Sequence, residues 1–114
     1  MSKRESKSEV LQGTLDLMVL RTLETMGPQH GFGLAKRIQQ VSGGALDLNQ
    51  GTLYPALLRL EQRGWVKARW GISENNRKAR FYELTDSGRA RIPQERAEWG
   101  RTVALMERFL RTEG

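Results

Sequence analysis

The stretch NQGTLYPALLRLEQRG, residues 49–64, predicts an amphipathic helix with clear ends. Asn49 is a favourable N-cap, because its side-chain oxygen accepts a hydrogen bond from the first helical turn. A buried stripe is predicted from three leucines at spacings of four and three, Leu53, Leu57 and Leu60. Gly64 suits the position just after a helix, where a left-handed conformation is common. We therefore predict a helix from Asn49 to Arg63 whose outer face is polar.

The residues upstream of this helix predict two more helices. Apolar residues recur every three or four positions between Val10 and Met26, and Gly27-Pro28 ends this pattern. A shorter helix is predicted from Phe32 to Ser42. Residues Ala45 to Leu48 have the length of a single edge strand.

The residues downstream predict a hairpin and a last helix. The segments Trp65–Trp70 and Ala79–Thr85 alternate with a period of two, as strands do. Asn75 and Asn76 lie between them and tolerate the positive φ of a hairpin tip. Thr85 or Asp86 is expected to cap a helix that runs to about Arg111, with a bend at Pro93.

This order of elements is that of a winged helix-turn-helix, in which the second helix of the pair enters the major groove of DNA. We predict a mainly α fold with a small β-hairpin: a winged helix-turn-helix plus a C-terminal dimerisation helix. The expected division is a flexible N-terminal arm at residues 1–9, a DNA-binding domain at residues 10–88 and the dimerisation helix at residues 89–114.

Charge supports a polyanionic partner. The 114 residues carry a net charge of +6, and residues 59–80 alone hold seven basic residues against two acidic ones. A local excess of this kind favours nucleic acid, although a solvated basic face would produce the same count.

Several classes of protein are disfavoured. The chain has no cysteine and one histidine, His30, for which a local capping or packing role is expected rather than a metal or catalytic one. No nucleophile–base pair, phosphate-cradling loop or ligand cluster is present in the sequence, so no enzyme activity, cofactor or metal is expected. No signal segment or long apolar run is found, and we expect a cytoplasmic protein without a membrane partner.

Four motifs in register resemble the PadR family of transcriptional regulators. PQHGFGL at residues 28–34 resembles the family's PxHGYxI, and GTLYPAL at 51–57, followed by RLE and Gly64, resembles GTLYPxLxRLExxG. ENNR at 74–77 and YELTDSG at 82–88 resemble the wing and the YxLTxxG that follows it. The likeness covers roughly residues 10–90, with Phe32 where tyrosine is usual and Pro93 interrupting the last helix.

The resemblance implies a repressor-type dimer that binds an inverted-repeat operator. It also implies that the C-terminal helix makes much of the dimer interface, and that a small aromatic or drug-like effector binds near that interface in some members.

DNA contacts are predicted for three groups of exposed residues. In the third helix they are Gln50, Thr52, Tyr54 and Arg59, with Gln50 and Thr52 best placed for bases. In the wing they are Asn75, Asn76, Arg77, Lys78 and Arg80, and in the second helix Lys36 and Arg37, all expected at phosphates. For Arg59, an ion pair within the protein is an open alternative.

The last helix carries a broad apolar band, predicted as the dimer interface: Trp99, Val103, Met106, Phe109 and Leu110. Packing of this band within one subunit, against Leu15, Met18 and Val19, is the alternative. Trp99 is also a candidate for stacking on a planar effector, or else a structural anchor. At the level of function, the alternative to a DNA-binding regulator is a winged-helix module that binds other proteins.

Overall fold

Three helices form the first half of the computed structural model, which describes the backbone of residues 3–112 and the side chains of residues 13–112. They are α1 (Lys3–Met26), α2 (Gly31–Val41) and α3 (Gln50–Gln62). The side chain of Asn49 caps α3 by accepting a hydrogen bond from the Thr52 amide at 2.9 Å. Gly64 follows the helix with φ +78°. The predicted helix and both of its end signals are confirmed.

Helix α1 begins at Lys3 and not at Val10. It therefore includes residues 3–9 of the predicted N-terminal arm. No proline or glycine precedes Gly13, and lysine, arginine and glutamate are good helix formers, so nothing in this segment stops the helix. Met1 and Ser2 lie outside the described residues.

A three-stranded antiparallel sheet follows the order β1-β3-β2, with β1 (Gln29–His30), β2 (Val66–Ile72) and β3 (Lys78–Leu84). The hairpin prediction is confirmed. The predicted edge strand at Ala45–Leu48 is wrong: this segment turns instead, with the Leu46 amide donating to the Ser42 hydroxyl at 3.0 Å. Gln29 and His30 occupy the free edge of β3, opposite Tyr82 and Phe81.

Helix α4 (Asp86–Arg111) starts at a tight junction with the hairpin. The Thr85 hydroxyl donates to the Gly64 carbonyl at 2.6 Å and accepts from the Gly88 amide at 3.0 Å. A Cβ on Gly88 would overlap the carbonyl oxygen of Trp65, so only glycine permits this approach. α4 continues through Pro93, and it also crosses the predicted boundary between residues 88 and 89.

The core lies where α1, α2, α3 and the base of the sheet meet. The predicted leucine stripe of α3 is buried, as expected. The other buried hydrophobic residues are Leu15, Val19, Leu20, Leu23, Leu34, Ile38, Ala56, Val66, Tyr82 and Ile92. Within the described part of the chain, no helix is long and apolar enough to cross a membrane.

Candidate nucleic-acid interface

Helix α3 buries one face and leaves the opposite face in solvent. Its exposed residues, which we call the exposed face of α3, are Gly51, Tyr54, Pro55, Leu58 and Gln62. At about 100° per residue, Gln50 and Thr52 flank this face on opposite edges, and both are partly exposed. Tyr54 lies on the face itself, with 49% of its surface exposed.

The edge that carries Gln50 is packed against the start of α2. A Cβ on Gly31 would lie 2.7 Å from the Gln50 Oε1 atom and 3.8 Å from the Tyr54 hydroxyl. The absence of a side chain at Gly31 thus lets the two helices of the pair approach closely. His30 caps α2 by accepting a hydrogen bond from the Gly33 amide at its Nδ1 atom, at 3.2 Å, which confirms its predicted local role.

Beyond the core, the hairpin projects as a wing, which we define as residues 70–80. Its turn is closed by hydrogen bonds from the Ser73 amide to the Arg77 carbonyl (2.8 Å) and from the Asn76 amide to the Ser73 carbonyl (2.9 Å). Asn76 has φ +57°, so the predicted positive φ at the tip is confirmed. Residues 74–78 are all exposed.

The wing and the two helices enclose two neighbouring grooves. One, of about 670 Å³, has Tyr54 and Leu58 of α3 on one side and Trp70, Lys78 and Arg80 of the wing on the other. The second, of about 420 Å³, lies between the start of α2 and the wing tip, and is lined by Lys36, Asn75 and Arg77 among others. The fold thus brings together six of the predicted DNA-contacting residues from three elements.

The positive charges around these grooves differ in how they are held. Arg80 donates to Glu61 of α3 at 2.9 Å, an ion pair that ties the wing to α3. The Lys78 ammonium lies 5.4 Å from the centre of the Trp70 ring, a cation–π distance. Within the described residues, Arg77 and Lys36 have no carboxylate partner. Arg77, Lys36 and Lys78 are therefore available to an anion.

Tyr82 forms part of the floor of the larger groove and is almost fully buried. Burial raises the pKa of its phenol above the ordinary value, an effect that the positive charge of Arg80 partly offsets. The phenol therefore stays neutral at physiological pH, and the positive charges above it are not cancelled from below.

Arg59, Arg37 and Thr52 do not join this group. Arg59 points to α1 and donates to Asp16 at 2.7 Å, which is an ion pair within the protein, the alternative that the sequence left open for this residue. Arg37 donates to Gln40 along α2 at 3.5 Å and lines neither groove. Thr52 lies on the same edge of α3 as Arg59, about two helical turns before it.

Four large exposed apolar side chains of this surface were not predicted as site residues. Phe32 is 74%, Ile72 65%, Trp70 62% and Leu58 54% exposed. The period-two pattern places Trp70 on the same face as the buried Val66. The hairpin extends beyond the core, however, so the same face is covered at its base and open at Trp70.

The second half of α4 is largely uncovered in the single chain. Trp99, Met106, Phe109 and Leu110 are between 47% and 79% exposed, and Val103 is partly exposed. Leu15 and Val19 of α1 are buried in the core, so the alternative in which α1 covers the whole band is not what the fold shows. The molecule measures 58 × 32 × 25 Å, an elongated shape for 114 residues.

A third cavity, of about 890 Å³, lies between α1, the end of α3 and α4. Trp99 lines it together with Trp65, and three arginines and three carboxylates surround them: Arg59, Arg63, Arg91, Asp16, Glu95 and Glu98. Burial raises the pKa of the Glu95 carboxyl, as does its hydrogen bond with Glu98, while Arg91 acts in the opposite direction. Trp99 is therefore placed both on the apolar band and at a cavity.

Comparison with known proteins gives consistent matches. The model of the family described as "Transcriptional regulator PadR-like family" matches residues 19–94. A transcriptional regulator from Clostridium thermocellum, Cth-833, is 27% identical, with a TM-score of 0.81 over 90% of this chain and 99% of that one.

Two further relatives extend the likeness along the chain. A PadR family transcriptional regulator from Eggerthella lenta is 25% identical, with a TM-score of 0.78 over 96% of this chain and 93% of that one. "Uncharacterized protein X" of Lysinibacillus sphaericus is 23% identical over 104 residues, which are 91% of this chain and 94% of that protein.

Proposed function

Because this chain belongs to the PadR-like family of transcriptional regulators, we propose that it is a DNA-binding repressor that acts as a homodimer on an inverted-repeat operator in the cytoplasm. The observation that carries the proposal is the position of the exposed face of α3 beside the basic wing, on one side of the molecule. A duplex that enters between them meets α3 in its major groove and the wing at its backbone.

The two parts of this surface serve different purposes. Gln50, Thr52 and Tyr54 are presented by a rigid, capped helix, so their donors and acceptors can be matched to base edges and the adjacent phosphates. Lys36, Arg77 and Lys78 lie around the grooves and supply affinity that is independent of sequence and falls with salt. Repression follows most simply from a small protein that occupies the promoter and excludes polymerase.

The apolar band of α4 supports the dimer. Its side chains are exposed in one chain, and a symmetric partner helix would cover them with an identical surface. Two-fold symmetry also repeats α3 on the other side of the axis, which accounts for an inverted repeat with half-sites about one helical turn apart or a multiple of it.

Relief of repression by a small molecule is part of the proposal, and its site is the cavity of about 890 Å³ beside Trp99. Its volume is in the range of small-molecule sites, which is roughly 300–1,000 Å³. The indole ring of Trp99 offers a flat face for a planar ligand, whereas the Trp65 ring is already in contact with the guanidinium groups of Arg63 and Arg91, at 5.2 and 5.0 Å from its centre.

Selection of bound duplexes from a random pool tests the DNA-binding function. We expect a palindromic consensus, to which the protein binds far more tightly than to a scrambled duplex of the same length. The Gln50→Ala/Thr52→Ala variant should lose this preference and keep its affinity for scrambled DNA. No enrichment at low salt would overturn the function, and an unchanged preference in the variant would overturn the assignment of these two residues.

Sedimentation equilibrium tests the dimer. We expect a dimer for the parent and a monomer for Phe109→Ser/Leu110→Ser, which removes the two most exposed apolar side chains of the band. Val41→Ser is the matched control, because Val41 is 70% exposed but lies on α2. The proposal fails if the α4 variant and the control have the same mass as the parent.

A further inference from the structure

Asp16 is a buried carboxylate that joins two helices. It lies in α1 with only 5% of its surface exposed. One carboxylate oxygen accepts from Arg59 Nη2 at 2.7 Å, and the other lies 3.5 Å from Arg63 Nη1. Arg59 lies in the last turn of α3 and Arg63 caps its C-terminal end, about one turn further on. A single side chain of α1 therefore contacts this end of α3 at two points.

The geometry of α3 gives this contact a consequence for its exposed face. Arg59 and Arg63 lie on the edge of α3 that faces α1, while Glu61 lies roughly 160° to 200° away from them, on the edge that faces the wing. There Glu61 pairs with Arg80. The helix is thus held on both edges by ion pairs, and rotation about its axis would break one of them.

The two anchors differ in burial. In the Arg80–Glu61 pair both side chains are partly exposed, at 43% and 31%, whereas the Asp16 side chain is 7% exposed. An exposed ion pair contributes little to stability, and a buried carboxylate strongly requires its partners. The contact with Asp16 is therefore the more costly of the two to break.

We propose that Asp16 is a positioning residue for sequence recognition, which acts through Arg59 and Arg63 to hold the exposed face of α3 at the angle that fits base edges. This inference rests on the proposed function, because it concerns how α3 is presented to DNA. Neither Asp16 nor Arg59 touches DNA. The wing, which supplies the phosphate contacts, is not attached to Asp16.

The test compares Asp16→Asn with Glu24→Gln. Asparagine keeps the size of the side chain and removes its charge. Glu24 is a carboxylate of the same helix, but it pairs with Arg21 within α1. For each protein, affinity is measured for the selected operator and for a scrambled duplex, over a range of salt concentrations, with the melting temperature as a measure of folding.

We expect Asp16→Asn to lose about tenfold in operator affinity, of the order that one good base contact contributes to discrimination. Its affinity for scrambled DNA and its salt dependence should match the parent, since no phosphate contact is removed. Glu24→Gln should retain the preference of the parent. A lower melting temperature with an unchanged preference would mean that Asp16 only stabilises the fold, and would overturn the inference.

Arg59→Gln separates positioning from direct DNA contact. If Arg59 acts by holding α3, this variant shows the same loss of preference as Asp16→Asn, with the salt dependence of the parent, and the double variant is no worse than either single one. If Arg59 touches phosphate, the slope of log affinity against log salt for Arg59→Gln becomes shallower than that of the parent by about 0.9 per protomer. That result would overturn the inference.

Arg63→Gln covers the case in which Asp16→Asn does not fold, because the Arg63 side chain is 48% exposed and its replacement leaves Asp16 paired with Arg59. A smaller loss of preference for the operator is expected. An unchanged preference would count against the inference. If the parent itself shows no preference for any duplex, the proposed function has failed. If the parent has a preference that all three folded variants keep, only the positioning role has failed.

Discussion

Neutralising the wing tip is the most direct test of the proposed DNA-binding surface. Arg77 and Lys78 are exposed, and neither has a carboxylate partner among the described residues. The change Arg77→Gln/Lys78→Gln removes two positive charges per protomer and keeps side chains that are still polar. The hydrogen bonds that close the turn use the backbone of Arg77, so the hairpin should survive.

The expected magnitude follows from counterion release. If each charge neutralises one phosphate, the dimer loses four contacts, and the slope of log affinity against log salt becomes shallower by about 3.6. Between 50 and 200 mM salt, a fourfold change, the parent should then lose about 150-fold more affinity than the variant. Fluorescence anisotropy with a labelled operator at several salt concentrations measures both slopes.

A matched variant controls for net charge. Lys67→Gln/Arg69→Gln also removes two charges from the hairpin, but these residues lie on the other face of β2, 3.9 Å and 3.6 Å from Glu83. For this control variant, the slope of log affinity against log salt should stay close to that of the parent. The reasoning is refuted if the wing-tip variant keeps the parent's slope, or if the control lowers the slope as much as the wing-tip variant does.

Three further outcomes are expected for stability. Asn49→Ala removes the cap of α3 and should lower the free energy of unfolding by about 1 kcal/mol, as measured by urea denaturation. Asn49→Ser should retain most of the stabilisation by the cap, because serine is also a favourable N-cap residue. Leu57→Ala leaves a cavity at a residue that is 1% exposed and should lower the free energy of unfolding by about 3 kcal/mol in the same assay. The control Leu58→Ala, at a residue that is 54% exposed, should lower it by less than about 1 kcal/mol. Burial and the hydrogen bond with Glu98 raise the pKa of Glu95 in the folded state above its ordinary 4.5, so its ionisation disfavours folding, and stability is lost as pH rises through the folded pKa. Glu95→Gln should therefore melt at a higher temperature than the parent at pH 7, and the difference should disappear below about pH 4, where Glu95 is protonated in both states; an equal difference at both pH values would contradict this.

Local signals in the chain were sufficient for most of the elements. The cap at Asn49, the leucine stripe of α3 and the glycine after it act within a few residues, so they specify a helix wherever it packs. The two-residue alternation and the asparagines of the wing do the same for the hairpin. The start of α1 was predicted seven residues too late, at Val10 instead of Lys3, because the polar residues that precede Val10 carry no periodic signal even where they are helical.

The third strand and the partners of the arginines depend on contacts between distant parts of the chain. Gln29 and His30 are extended because β3 offers a free edge, and no local pattern distinguishes two residues of strand from a loop. Arg59 meets Asp16 across 43 positions of sequence, and its helical face is decided only once α3 has packed on α1. Exposed Trp70 and buried Val66 share a strand face, so burial there depends on where the core ends.

From the order of residues alone, one can therefore obtain the type of each main element, the capped helix and the basic tip of the hairpin, because these follow from backbone preferences and periodicity. The packed chain decides which basic side chains remain available to an anion and which form ion pairs within the protein. That choice depends on distances between side chains far apart in sequence, which a one-dimensional pattern does not contain.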